Sequence, residues 1–125
     1  MTQKYNLSSL EWEIMEFIWE QKEGLYFRDL MQHFVKEGGK QWKRQSLRTF
    51  LLNLEKKGAL EIKKHEKFYM YVPVSTKEGH IRKWTKNMLK EFYNGSLKEF
   101  LLALKGDTGL SEQEMSELRE FLRDC

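Results

Sequence analysis

From Leu7 onward the apolar positions fall at helical spacing. In Leu7-Ser8-Ser9-Leu10-Glu11-Trp12, Ser8 and Glu11 stand where a capping box requires them, with Leu7 and Trp12 at staple spacing. Leu10, Ile14, Phe17 and Ile18 then recur at i, i+4, i+7 and i+8, the spacing of one buried helical face, and Gly24 closes the segment. A shorter helix is predicted from about Phe27 to Glu37, with Leu30, Met31 and Phe34 on one face before Gly38-Gly39. The third run, Gln41 to Leu60, puts Leu47, Phe50, Leu51 and Leu54 in one apolar stripe. Gln45, Arg48, Thr49 and Leu52 lie opposite it at about 100° per residue, and Lys56-Lys57-Gly58 supplies a cationic last turn and a glycine cap.

The period then changes from helical to alternating. Leu60-Glu61-Ile62 leads into the charged stretch Lys63-Lys64-His65-Glu66-Lys67, and Phe68 to Val72 reads as the returning strand, closed by Pro73. Three helices followed by a hairpin with a basic tip is the winged helix-turn-helix pattern, here predicted over residues 1–74 of a mainly α (α+β) chain. His65 reads as a solvated turn residue. Beyond it, Ser75 with Glu78, Ser96 with Glu99 and Ser111 with Glu114 repeat the capping-box spacing and mark three more helices. Asn94-Gly95 and Gly106-Asp107-Thr108-Gly109 are the breaks between them.

Residues 75–125 are expected to form a helical dimerisation region. Its apolar positions are Ile81, Trp84, Met88, Leu89 and Phe92, then Leu97, Phe100, Leu101 and Leu104, then Met115, Leu118, Phe121 and Leu122. Three short helices cannot readily bury that much apolar surface alone, and a two-fold dimer is the economical solution. Folding back onto the winged unit is the alternative.

Charge sharpens the picture. The net charge is only +3, but residues 1–39 carry −3, residues 40–67 carry +6 and residues 68–125 carry none. A basic stretch that short raises the local potential towards a polyanion, since each phosphate contact releases condensed counterions. A solvated lysine-rich face is the plainer alternative. The side chains on the exposed face of the third helix are nonetheless those the major groove rewards: Arg48 for guanine, Gln45 for adenine, Thr49 and Leu52 for a thymine methyl.

Other classes find little support. At 125 residues the chain suits one domain, or a small one with an appendage. It has no apolar run near the roughly 18 to 20 residues of a membrane span and no secretory signal at its start, so a cytoplasmic location without membrane insertion is expected. One cysteine, Cys125, precludes an intramolecular disulfide or a cysteine metal cluster within the chain and reads as an incidental free thiol. No metalloprotease, nucleophile-elbow, phosphate-loop or dithiol motif occurs, and His33, His65 and His80 lie in unrelated segments, so neither catalysis nor a cofactor is expected.

The runs LEWEIMEFIW (10–19), WKRQSLRTFLLNLEKKGAL (42–60), YMYVP (69–73), GSLKEFLLAL and LSEQEMSELREFL together resemble the penicillinase-repressor family over nearly the whole chain. The resemblance implies a homodimeric transcriptional repressor whose winged domain binds dyad operators in double-stranded DNA and whose C-terminal helices interlock two subunits. Carried over by position, it implies DNA contacts from Lys43, Arg44, Gln45, Ser46, Arg48, Thr49 and Asn53, with Lys63, Lys64 and Lys67 on the wing. The chain departs from the family at Gln45, Ser46 and Asn53, where lysine, threonine and arginine are frequent. Those departures bear on operator preference, while Arg44, Arg48 and the wing lysines keep the DNA-binding surface.

The β-lactam branch of the family further implies release through a transmembrane metallopeptidase antirepressor, with cutting at an asparagine–phenylalanine bond. That bond aligns with Ala103 and Leu104, so the residue pair is not kept. Copper-responsive members carry clustered cysteines, which Cys125 alone cannot supply. An alternative of another class is a winged helix acting as a protein-interaction or assembly module without specific DNA binding. A small molecule held between the two regions is a further alternative, although apolar residues there read first as core.

Overall fold

The computed structural model describes residues 3–21, 23–106 and 109–124, so Cys125 and the Asp107-Thr108 part of the last break lie outside the described residues. The chain divides into two compact units, Met1–Trp84 and Thr85–Cys125. The division falls within a helix, ten residues beyond the boundary expected from sequence.

In the first unit a hairpin of β1 (Gln3–Lys4) and β2 (Leu7–Ser8) leads into α1 (Ser9–Glu20). The hairpin turn holds Tyr5 and Asn6 at φ of 49° and 74°, a left-handed conformation that carries no hydrophobic period and is invisible to pattern reading. The capping box is complete: Ser8 Oγ accepts from the Glu11 amide, and the Glu11 carboxylate accepts from the Ser8 amide. Leu7 and Trp12, the staple pair, are both buried.

A two-residue strand, β3 (Leu25–Tyr26), precedes α2 (Phe27–Met31), which continues as a π-helical segment, Gln32–Glu37. The wider turn was not predicted, because apolar spacing over a single turn does not separate the two helical forms. Then come α3 (Arg44–Lys56), β4 (Leu60–His65) and β5 (Phe68–Pro73). The sheet order is β3-β5-β4, all antiparallel, with His65 opposite Phe68 and Ile62 opposite Tyr71. Strand pairing therefore runs through His65, and the tip narrows to Glu66-Lys67, with Glu66 at φ 58°. Helix α3 ends as expected: Gly58, at φ 79°, donates to Glu55 O while Ala59 donates to Leu54 O.

Leu47, Leu51 and Leu54 of α3 pack fully buried against Ile14, Met15 and Ile18 of α1, Leu30 of α2 and Leu60 of β4. Phe50 covers this core from its edge. Each such leucine contributes roughly 1.5–3 kcal/mol by leaving water. One charged side chain is drawn in: Glu11, from the first turn of α1, meets Lys57 Nζ at 2.6 Å just beyond the end of α3.

Helix α4 (Lys77–Tyr93) begins one residue later than predicted. Thr76 rather than Ser75 makes the cap, its Oγ1 accepting from Gly79 N, while Ser75 O accepts from the Trp19 indole at 3.1 Å. Residues 77–84 belong to the first unit. Ile81 packs on the core, Trp84 meets the Tyr5 ring edge-on at 5.1 Å, and His80 Nε2 hydrogen bonds Tyr5 O at 2.9 Å. Ile81 and Trp84, expected in a subunit interface, thus have partners within their own chain.

The second unit holds the end of α4, then α5 (Leu97–Lys105) and α6 (Glu112–Arg123). Ser96 and Ser111 cap their helices through the amides of Glu99 and Glu114. Tyr93 and Phe100 make an edge-on contact at 5.4 Å. Among the described residues of α5 and α6 none is buried. No helix among the described residues is long and apolar enough to cross a membrane.

Candidate nucleic-acid interface

The burial of Leu47, Leu51 and Leu54 fixes the rotation of α3 and so decides what its other faces display. At about 100° per residue, Gln45, Thr49, Leu52 and Lys56 lie directly opposite the core, and all four are exposed. Thr49 Oγ1 donates to Gln45 O at 2.9 Å. Leu52, 42% exposed, is an apolar side chain on an otherwise polar face.

The two flanks differ. Ser46 and Asn53 are half-buried on one shoulder, whereas Arg44 and Arg48 occupy the other, beside the hairpin, and both are exposed. Lys43, exposed, is the residue from which the helix starts, with no side-chain cap of its own.

On the hairpin side the arginines are held by an aromatic ring. The Arg44 and Arg48 guanidinium carbons lie 4.8 and 5.2 Å from the centre of Phe27, the first residue of α2. Arg28 lies 5.5 Å from the Tyr26 ring centre. Together with Lys67 of the hairpin tip and the rings of Phe68, Tyr69 and Tyr71, these residues line a cleft of ≈ 220 Å³ without a single carboxylate. Burial pushes the Tyr71 phenol up from its usual value, against the opposing influence of the Arg48 charge, so the ring stays neutral. Another cleft, of ≈ 410 Å³, lies along the other half of the helix, lined by Arg48, Leu52, Glu55, Ile62, Tyr69 and Tyr71.

The hairpin lysines are not equivalent. Lys63 pairs with Glu61 at 3.4 Å, whereas Lys64 and Lys67 are exposed and have no ion pair among the described residues. Sequence reading had no access to Arg28, Phe27 or Tyr71. Arg28 sits in a segment of net negative charge, and only the packing of α2 against α3 brings it to the cleft. Ala103 and Leu104 are both exposed on α5.

Residues 7–124 match the family model described as penicillinase repressor. The methicillin resistance regulatory protein MecI of Staphylococcus aureus (strain N315) is 30% identical over 118 residues, 94% of each chain. The penicillinase repressor of Bacillus licheniformis is 29% identical over 118 residues, covering 94% of this chain and 90% of the relative. Among solved structures, the DNA binding domain of the repressor BlaI superposes with a TM-score of 0.51 at 27% identity, over 62% of this chain and 90% of that one. The monomeric form of Bacillus licheniformis BlaI in complex with the blaP half-operator gives 0.50 at 27% identity, over 62% and 92%.

Proposed function

The chain belongs to the penicillinase repressor family, and on that premise we propose that it is a DNA-binding transcriptional repressor, not an enzyme, acting as a homodimer on a palindromic operator. The observation that carries this reading is the polar face of α3, exposed beside a cationic hairpin, in a chain whose structural relative is seen with a half-operator. In it α3 enters the major groove through Lys43, Arg44, Gln45, Ser46, Arg48, Thr49 and Asn53, while Lys63, Lys64 and Lys67 approach the backbone. Ser46 and Asn53, being half-buried, serve at the margin of that surface.

Dimerisation falls to the second unit. Among its described residues Met88, Leu89, Phe100, Leu101, Met115 and Leu118 are only half-buried, and Phe92, Leu97, Leu104, Phe121 and Leu122 are each more than two-fifths exposed, which suits a self-complementary interface. Release is the remaining part of the reading. An inducing signal, relayed by a transmembrane metallopeptidase, would lead to cutting of α5 between Ala103 and Leu104 by a protease of another specificity than the family's asparagine–phenylalanine bond demands. The bond between Ala103 and Leu104 must first unwind from the helix to enter a protease.

Footprinting on DNA upstream of the chain's own gene, at several salt concentrations, tests the core of this function. A protected dyad with half-sites about one or more helical turns apart is expected. Diffuse, salt-labile protection alone would overturn it in favour of a protein-interaction module.

A further inference from the structure

The cleft between α2, α3 and the hairpin has no role assigned by the face of α3 alone. Four cations converge there from three elements: Arg28, Arg44 and Arg48, and Lys67 of the hairpin turn. Among the described residues none of the four has an ion pair, whereas Lys40, Lys57, Lys63 and Lys77 are each neutralised by a glutamate. Bringing four uncompensated positive charges together costs repulsion, which an anion placed among them removes.

Geometry says which part of DNA supplies that anion. The Phe27 ring draws both arginines off the outward axis of α3 towards the hairpin, on the shoulder rather than the centre of the exposed face. With the centre of that face against the floor of a major groove, its shoulder meets the wall, where phosphates lie. Base edges face Gln45, Thr49 and Leu52 instead. A guanidinium stacked on a ring keeps its N–H edge free, and that edge matches two oxygens of one phosphate.

We infer that Arg28, Arg44, Arg48 and Lys67, which line one cleft with Arg44 and Arg48 stacked on Phe27 and Arg28 on Tyr26, clamp one backbone phosphate of the operator, and that base reading falls to Gln45, Thr49 and Leu52. The inference rests on the DNA-binding function proposed above. It moves Arg48 from reading a base to gripping the backbone, and it makes Phe27 a positioning residue.

Binding of the wild type, R28A, R48A, F27L, F27Y and Q45A is measured across a salt series, on the footprinted duplex, on its single-base-pair variants and on a random duplex of equal length. R28A weakens both duplexes by the same factor, and its slope of log affinity against log salt falls by about one, the value of a lost phosphate contact. F27L behaves in the same way because the arginines lose their stack, and F27Y restores both affinity and slope. Q45A weakens the footprinted duplex only, with its slope unchanged. A wild-type slope in R28A, which is exposed and removes no core contact, would overturn the clamp. So would R48A relaxing the preference at a single base pair with its slope intact. If the wild type shows no salt-dependent affinity for either duplex, the DNA-binding function itself fails, and the clamp with it.

Discussion

Glu11 serves two helices with one carboxylate, its Oε1 accepting from the Ser8 amide at 2.8 Å and from Lys57 Nζ at 2.6 Å. Burial by itself would raise its pKa. The Lys57 hydrogen bond, the Ser8 amide and the Lys57 charge outweigh that and hold the carboxyl below the usual 4.5. A depressed folded-state pKa stabilises the protein at neutral pH, and that contribution is lost as pH falls from 4.5 through the folded-state value. Urea unfolding is therefore expected to show wild-type stability dropping below that pH more steeply than Glu11→Gln, the gap between them closing in acid. Lys57→Met, which strands the carboxylate, should cost about 1–3 kcal/mol at pH 7 in the same assay. At the hairpin tip, Glu66 places a negative charge beside Lys67 at a φ of 58°. Glu66→Asn tolerates that conformation and removes repulsion from phosphate, so its affinity for any duplex should rise in a fluorescence titration.

Among the elements, α3 is the one whose stability and presentation are coupled. Leu51 is fully buried on it, and Leu51→Ala should cost about 2–5 kcal/mol in thermal or urea unfolding, with the loss shared by the sheet packed on the same core. Gly58→Ala, at a φ of 79°, should cost about 1 kcal/mol by straining the turn that aims β4 away from the helix. The presence of α1, α3 and the hairpin was legible because each carries its own local signal: a complete capping box, an unbroken stripe, an alternating run ending in Pro73. Their bounds were less so, for α3 occupies only Arg44–Lys56 of its run and β4 continues to His65. β1, β2 and β3 were not legible, since two-residue strands are too short to show a period and exist only through their partners, as Leu25 does opposite Tyr71. The same logic explains the cap of α4. Ser75 and Thr76 offer equivalent hydroxyls, and the choice fell to Thr76 because the Trp19 indole holds the Ser75 carbonyl.

Across the whole molecule the division of labour is between a unit with a core and a unit without one. Phe121 is 64% exposed and Leu97 58%, so if the proposed dimer forms through them, replacing both by glutamate should leave the first unit folded while giving a monomer in sedimentation equilibrium, with affinity for a full dyad falling to that for a half-site. Lys64, unpaired on the hairpin, belongs to the same scale because its effect is not tied to sequence. Lys64→Ala should weaken binding to every duplex and flatten the salt slope, whereas Lys63→Ala, already offset by Glu61, should change it less.

What the sequence determined by itself is what local chemistry encodes. The 3.6-residue period set which face of α3 is buried, serine caps set where α1, α5 and α6 begin, and a switch of period to two set the hairpin. Those features also selected Gln45, Arg48 and Thr49 as exposed on one face, because the face opposite a buried stripe must be solvent. The tertiary structure alone decided which side chains meet. Glu11 finds Lys57 across 46 positions, Ile81 and Trp84 turn inward to the core and Tyr5, and Arg28 leaves an acidic stretch to line one cleft with Arg44 and Arg48. The reason is physical: a period fixes direction along one element, whereas convergence depends on how separate elements pack, and that is a property of the whole core.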